Sequence, residues 1–295
     1  MNLSIVTPTY NRAHLLPVLF KSLMWQTSKD FEWIVVDDGS KDNTEEIIAS
    51  FKETADFPII YVKKKNGGKH TALNTSHKYI TTEIVLIADS DDWLVKNAVE
   101  TIISDWQRYR DDKSICGISY LRGSDETHSL NNRQYRCAEE VSDFITVKVN
   151  AKNDCGSCEI IRTDVLKEFP FPEYKGERFI GESFLWFNAG FKYKTVYINK
   201  ILYITEFFED GLTKAGRKLR YDNPKGCMEV ANLGTTKGID IKFRLKQAIL
   251  YNCYAIKAKM SIKETIIKSK SKFLAILTFL PGVIINLYWN YSLKK

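Results

Sequence analysis

Four short apolar runs recur at intervals of about 25 residues through the first third of this chain. They are Leu3 to Thr7, Phe31 to Val36, Ile59 to Val62 and Ile84 to Ala88. Each ends in turn-forming residues and each leads into a stretch with helical periodicity. Leu15, Leu16, Leu19, Phe20 and Leu23 place an amphipathic helix up to Gln26. Asp42 followed by Glu45 reads as a capping box for a helix carrying Ile47, Ile48 and Phe51. A third helix is expected over Thr71 to Tyr79. Strand and helix alternating in this way predict a parallel, doubly wound sheet with helices on both faces. Right-handed crossovers would then carry all four strand ends to one rim.

That rim collects the polar residues that follow each run: Pro8 to Asn11, Asp37 and Asp38, Asn66 to Lys69, and Asp89 to Asp92. Open α/β sheets bind ligands at this edge. The three carboxylates of Asp89-Ser-Asp91-Asp92 repel one another unless a cation or a basic side chain sits among them. They could instead form a polar turn that faces water or caps the next helix. No Gly-x-Gly-x-x-Gly opens a helix, and no Gly-x-x-x-x-Gly-Lys-Ser/Thr occurs, so dinucleotide-dependent dehydrogenases and P-loop enzymes are set aside. A diphosphate ligand is better held here through Mn²⁺ or Mg²⁺ on oxygen donors.

Beyond Trp93 a helix is expected over Val95 to Tyr109 and a strand over Ser114 to Tyr120. The polar stretch from Leu121 to Asn153 has no clear period. Glu159 to Arg162 reads as a strand before a short helix at Val165-Leu166, and Tyr193 to Thr205 as another strand. Glu182 stands in the first turn of a helix that carries Phe184 to Phe187, where the helix dipole alone would favour an acid. The basic, glycine-punctuated segment after Phe207 reads either as a lid over a diphosphate, with Lys214, Arg217, Lys218 and Arg220 screening charge, or as a solvated connection. Six cysteines in 295 residues form no disulfide framework, and the Cys155-Gly-Ser-Cys158 pair lacks the further ligands of a zinc site. No signal peptide is expected ahead of Pro8, which places the bulk of the chain in a reducing cytoplasm.

Charge divides unevenly along the chain. Residues 237–295 hold twelve Lys and Arg against two acids, a net +10, so the rest of the chain carries about −3 of the total +7. Phe243, Leu245, Ala248, Ile249, Cys253 and Ile256 form one face of a basic helix, and Phe273 to Leu293 then runs 21 positions without a charge. Pro281-Gly282 near its middle, with lysines before it and Trp289 and Tyr291 near its end, fits a bent segment lying at a membrane interface. A span or a packed soluble helix are the competing readings. No motif supports nucleic acid as the partner of the basic tail.

Taken together, Val6-Thr-Pro-Thr-Tyr-Asn-Arg12, Val35-Val-Asp-Asp-Gly-Ser40, Asn66-Gly-Gly-Lys69 and Ala88-Asp-Ser-Asp-Asp92 give an ordered set of motifs. In them the chain resembles glycosyltransferase family 2, inverting enzymes of the GT-A fold, over about residues 1–210. The resemblance implies a GT-A domain over 1–210, with a nucleotide-binding half at 1–110 and an acceptor half at 111–210. A flexible loop or lid at 211–236 and a basic helical, membrane-associating extension at 237–295 would follow. It implies a nucleotide-diphospho-sugar donor, usually uridine-based, with Pro8, Thr9, Tyr10, Asp38, Lys69 and Asp89 on the nucleotide. Asp91, with Asp89 and Asp92, would hold Mn²⁺ or Mg²⁺. Glu182 falls where the family keeps its catalytic base, usually an Asp, and Ser183 stands where a second acid is common. The acceptor would be a glycan or a lipid-linked species in bacterial surface polysaccharide assembly, with the enzyme peripheral on the inner face of the cell membrane. Rival readings are a nucleotidyltransferase that makes the sugar nucleotide and a catalytically silent, membrane-attached sugar-nucleotide binder.

Overall fold

The computed structural model describes residues 1–153, 155–206 and 212–293, with side chains from 216 onward in the last range. Two compact units interleave in sequence. A sheet unit comprises Met1–Asp143, Asn153–Pro170 and Lys192–Phe208, and a helical unit comprises Phe144–Lys152, Phe171–Phe191 and Glu209–Lys295. The boundary therefore does not follow chain order, because segments of the stretch read as an acceptor half belong to the helical unit.

In the sheet unit, β1 (Leu3–Thr9), α1 (Leu16–Met24), β2 (Phe31–Asp37), α2 (Thr44–Thr54), β3 (Ile59–Lys63), α3 (Lys69–Ser76) and β4 (Ile84–Ile87) follow one another. The strands pair in the order β3-β2-β1-β4, all parallel. Every residue of β1, β2 and β4 is buried, whereas β3 at the edge is only half-buried; the inner strands are largely apolar, and the buried Ser4 hydroxyl of β1 donates to Glu32 Oε1 of β2 at 2.6 Å. Leu16, Leu19 and Leu23 of α1 and Ile48 and Phe51 of α2 join Ile5, Phe31 and Trp33 in one core. Phe20 and Phe51 stack at 4.0 Å between ring centres. The buried Trp33 indole is not left unpaired: its Nε1–H donates to Thr7 Oγ1 at 2.9 Å.

Past β4 the sheet turns mixed. The chain continues through β5 (Asp92–Leu94), α4 (Ala98–Gln107), β6 (Ile115–Gly123), β7 (Glu139–Ser142), β8 (Ser157–Arg162), α5 (Thr163–Glu168) and, after an excursion into the helical unit, β9 (Lys194–Thr205). β8 is antiparallel to both β4 and β6, β6 runs parallel to β9, and β5 and β7 add antiparallel to β9. The expected capping box at α2 is not formed. Asp42 instead accepts from the Ala13 amide at 3.0 Å and the Thr44 hydroxyl at 2.6 Å, tying the start of α2 to the loop after β1. Cys155 and Cys158 are buried and in no disulfide, and burial pushes the Cys158 thiol up.

Gly117 on β6 faces the β8 backbone so closely that a Cβ there would lie 1.8 Å from the Ile160 carbonyl oxygen. No side chain can yield to relieve that clash. Gly117→Ala is expected to separate β6 from β8 and destabilise the chain by about 1–3 kcal/mol or more, read as a lowered urea midpoint.

The helical unit contains α6 (Ser183–Lys192, whose last residue returns to the sheet unit), α7 (Leu212–Asp222), α8 (Pro224–Leu233), α9 (Ile241–Lys257), α10 (Ile262–Lys268), α11 (Lys272–Leu277) and α12 (Phe279–Ser292). The segment 211–236, read as a flexible loop, is helical over α7 and α8. Residues 207–211 lie outside the described residues. On α9 the buried set is Ala248, Tyr251, Asn252, Cys253, Tyr254 and Ala255 rather than a single apolar stripe, because α8, α11 and α12 all pack on it. The charge-free run is split at Thr278 into α11 and α12, and Pro281 sits in the first turn of α12, where its missing N–H costs nothing. Among the described residues no helix is long and apolar enough to cross a membrane.

Candidate active site

The strand order reverses between β1 and β4, so the crevice of the sheet opens at the carboxyl ends of these two strands. Beyond β1, Tyr10 is 42% exposed and Asn11 takes a left-handed backbone conformation with φ 51°. The Asn11 amide donates to Ser40 Oγ at 2.8 Å, and its Oδ1 accepts from the Lys41 amide at 2.8 Å. The Asp38 amide donates to the Thr9 carbonyl at 2.8 Å. Gly39 has φ 85°, and a Cβ there would lie 3.0 Å from both Asn66 N and Lys64 O, so the turn after β2 accepts glycine alone. The rim expected from sequence is thus assembled: the segments after β1, β2 and β3 are bonded to one another.

The two acids of this turn have distinct settings. Asp37 is fully buried and accepts from the Tyr61 hydroxyl and the Ser40 amide, both at 2.7 Å. Asp38 accepts from the amides of Gly67 at 2.9 Å and Gly68 at 2.6 Å and from Lys64 Nζ at 2.8 Å. It therefore fixes the loop that leads into α3, and with it Lys69. Thr9 Oγ1 and Asn66 Oδ1, both on this rim, are buried polar atoms with no hydrogen-bond partner among the described residues. Orphans of this kind are uncommon away from sites that take a ligand or water.

After β4, Asp89, Asp91 and Asp92 each bring a carboxylate oxygen within 4.8 Å of the others. Asp89 and Asp91 are partly exposed, and Asp92 is buried. Each acid meets its own base. Arg12 Nη1 donates to Asp91 Oδ2 at 2.6 Å, Lys69 pairs with Asp89, and Arg122 Nη1 lies 3.4 Å from Asp92 Oδ2 and 4.0 Å from Asp89 Oδ2. Burial pushes the Asp92 carboxyl up to about 7, with Asp89 and Asp91 adding to the rise against the opposing pull of Arg122 and a Tyr203 hydrogen bond. Asp89 moves the other way: burial raises it, but Lys69, Arg122 and Arg12 together outweigh burial and hold its carboxyl below the usual range. Tyr203, fully buried on β9, accepts from the Asp89 amide at 2.7 Å, and Arg122 stacks over its ring at 4.8 Å. Three hard oxygen donors converging from one short turn, two of them reachable from solvent, suit a divalent cation of the Mg²⁺ or Mn²⁺ type.

Sequence reasoning assigned no site role to Arg12, Lys64, Arg122 or Tyr203. Arg12 stood inside a quoted motif, and a charged residue closing the apolar run Ile115 to Leu121 was the one available signal for Arg122. Glu182 belongs to the helical unit and directly precedes α6 rather than standing in its first turn; its carbonyl accepts from the amides of Leu185 at 2.9 Å and Trp186 at 3.3 Å. Of the residues offered for a lid, the Lys214 side chain lies outside the described residues. Arg217 stacks over the Trp289 ring at 5.4 Å, Lys218 pairs with Asp222 at 3.2 Å, and Arg220 is exposed on the same helix.

Residues 4–169, just over half the chain, match the family model described as glycosyl transferase family 2. The glycosyltransferase GlyA of Streptococcus pneumoniae is 28% identical over 207 residues, covering 68% of this chain but only 28% of that protein. The GalNAc(5)-diNAcBac-PP-undecaprenol beta-1,3-glucosyltransferase of Campylobacter jejuni is 26% identical over 246 residues, 78% of this chain and 73% of that one. Among solved structures, S. aureus TarS 1–349 in complex with UDP-GlcNAc superposes with a TM-score of 0.62 at 18% identity, covering 96% of this chain and 79% of that chain. The mannosyltransferase PcManGT of Pyrobaculum calidifontis, in complex with GDP-Man and Mn²⁺, gives 0.59 at 16% identity over 97% of this chain and 87% of that one. The structural likeness shows a shared fold, and the family match runs through every strand end of the rim. The chain belongs to glycosyltransferase family 2, a family of enzymes that transfer sugars.

Proposed function

We propose that this protein transfers a sugar from a nucleotide-diphospho-sugar, a UDP-sugar, to an acceptor hydroxyl with inversion at the anomeric carbon. The observation that carries the reading is the Asp89–Asp91–Asp92 cluster at the reversal point of a family 2 sheet. Tyr10, with Pro8 and Thr9, would line the nucleobase, Asp38 and Lys69 would also bind the nucleotide, and Asp89 would contact the ribose. Asp91, helped by Asp89 and Asp92, would hold Mn²⁺ or Mg²⁺, which supplies Lewis-acid neutralisation of charge on the leaving diphosphate. Arg12 and Lys69, which here neutralise Asp91 and Asp89, would be released by the metal to meet the donor's phosphates. Glu182 removes the acceptor proton as the hydroxyl attacks, in a single displacement that inverts the sugar. TarS was solved with UDP-GlcNAc and PcManGT with GDP-Man, so the donor test below carries both nucleotides.

The acceptor we favour is a lipid-linked glycan in surface polysaccharide assembly, with the enzyme on the inner face of the cell membrane. The Campylobacter relative is named for an undecaprenol-linked substrate, and a relative in Bacillus subtilis is a minor teichoic acid biosynthesis protein. The basic, apolar C-terminal extension suits that setting.

The test is a panel of UDP- and GDP-sugars screened for donor hydrolysis with Mn²⁺, with Mg²⁺ and with excess EDTA. One donor is expected to be hydrolysed in a metal-dependent way, with at least a tenfold loss in EDTA. Pyrophosphate release from UTP and a sugar 1-phosphate would point instead to nucleotidyl transfer. Binding without hydrolysis of any donor would make the protein a silent binder.

A further inference from the structure

We infer that the outward face of α11 and α12 is a docking surface for an anionic lipid bilayer, on which the helical unit lies in the plane of the interface. This rests on the proposed place at the membrane, and not on the identity of donor or acceptor.

The charge-free run from Phe273 to Leu293 is sorted by the fold in an unusual sense. Its small and polar residues, Ala275, Thr278, Gly282 and Asn286, face inward. Asn252 of α9 donates through Nδ2 to the Ala275 carbonyl at 2.9 Å and Thr278 Oγ1 at 3.0 Å. Asn286 donates to the Cys253 carbonyl at 3.0 Å. A Cβ on Gly282 would lie 2.5 Å from the Asn252 Cβ, so α12 is seated directly on α9. Leu274 and Trp289 pack inward with them, but most of the large apolar side chains point the other way. Phe273, Ile276, Leu280, Ile284, Leu287 and Tyr291 are each more than half exposed, and from Leu280 onward they recur at the spacing of one helix face. Folded monomers seldom leave so long an apolar strip in water.

Length and charge select the occupant. The 14 residues of α12 reach about 21 Å, short of the roughly 30 Å of a hydrocarbon core, and the polar seam to α9 keeps the helix lying down. Lys263, Lys268, Lys270 and Lys272 are exposed just before the strip, and no acid occurs from Thr265 onward. Such a rim complements anionic headgroups, each lysine near such a surface adding roughly fivefold to partitioning. Two copies pressed together through the same face would bring both lysine sets into one contact, which argues against a dimer.

The test is co-sedimentation of the full-length protein with two vesicle types, phosphatidylcholine alone and an equal mixture of phosphatidylcholine and phosphatidylglycerol. Wild type is expected to bind the mixed vesicles at least tenfold better than the neutral ones at low salt. The double variant Leu280→Glu, Ile284→Glu should lose at least tenfold on the mixed vesicles, and the triple variant Lys268→Glu, Lys270→Glu, Lys272→Glu should lose the preference between the two. All these side chains are exposed, so circular dichroism and donor hydrolysis without vesicles are expected to match wild type. The docking surface is wrong if wild type sediments with neither vesicle, or if the Leu280, Ile284 variant binds as wild type. A dimer that this variant disperses, with no vesicle binding, would assign the face to a second copy. Failure of donor hydrolysis in wild type would count against the sugar-transfer reading and leave the vesicle result standing.

Discussion

Asp91→Ala is expected to lower sugar transfer by about a thousandfold or more while leaving the protein folded. The carboxylate lies on the turn after β4, partly exposed, and its described contact is to Arg12 at 2.6 Å. Removing it takes one of three oxygen donors from the cluster and leaves a guanidinium that water can reach. Both side chains are less than a fifth exposed, so the pair is worth more than a surface one, but Arg12 also acts on Asp89 and keeps that acid as a neighbour; a loss of about 1–3 kcal/mol is expected, which the folded protein tolerates. Asp92 makes a poorer probe: it is buried against Arg122, and deleting it removes the nearer of that guanidinium's two carboxylates, so lost stability would mix with lost metal binding. The measurement is the rate at saturating donor and Mn²⁺, paired with Mn²⁺ binding followed by electron paramagnetic resonance without donor. Asp91→Ala that keeps more than a tenth of wild-type turnover, or binds Mn²⁺ as tightly, would remove Asp91 from the metal site.

The parallel half of the sheet was open to reading from sequence because burial on both faces makes β1, β2 and β4 largely apolar, with Ser4 and Glu32 bonded to each other where they interrupt it, and the turns that end them are polar. Asp38 and Asp89 to Asp92 could be placed on one rim for the same reason: parallel strands joined by helices leave no other location for their ends. The mixed half lacked both signals. β7 is the edge segment Glu-Glu-Val-Ser, half-buried at best, and β5 spans three residues that begin on the last acid of the cluster, too short for any period to register. Ile145–Asn150 winds as a wide helical turn whose Ile145, Val147 and Val149 alternate like a strand. The α2 capping box failed because Asp42 had a better partner 29 residues away in the Ala13 amide, a contact that local spacing cannot reveal. The same holds for the bases of the site. Arg12, Lys69 and Arg122 come from three separate elements to meet three acids on one turn, and each pairing is a product of the assembled sheet.

Glu182→Gln should lower turnover by about a hundredfold to ten-thousandfold with the donor KM unchanged. The substitution preserves shape and hydrogen-bonding reach and removes the capacity to take a proton. The backbone role of this residue survives it, because the Leu185 and Trp186 amides donate to the Glu182 carbonyl, which the substitution leaves in place. The competing account gives Glu182 no more than a favourable charge at a helix N-terminus. That account predicts a loss of about 0.3–1 kcal/mol in stability and no change in turnover, so the two separate on one protein with two measurements. The rate is taken at saturating donor and Mn²⁺, with donor affinity measured by calorimetry to show that the nucleotide site is intact. Glu182→Asp adds a graded comparison, since the shorter acid matches the residue common in the family; it should recover part of the rate that Gln loses. Turnover of the Gln variant within threefold of wild type would leave Glu182 as a helix-end charge and send the search for the base to other acids of the helical unit.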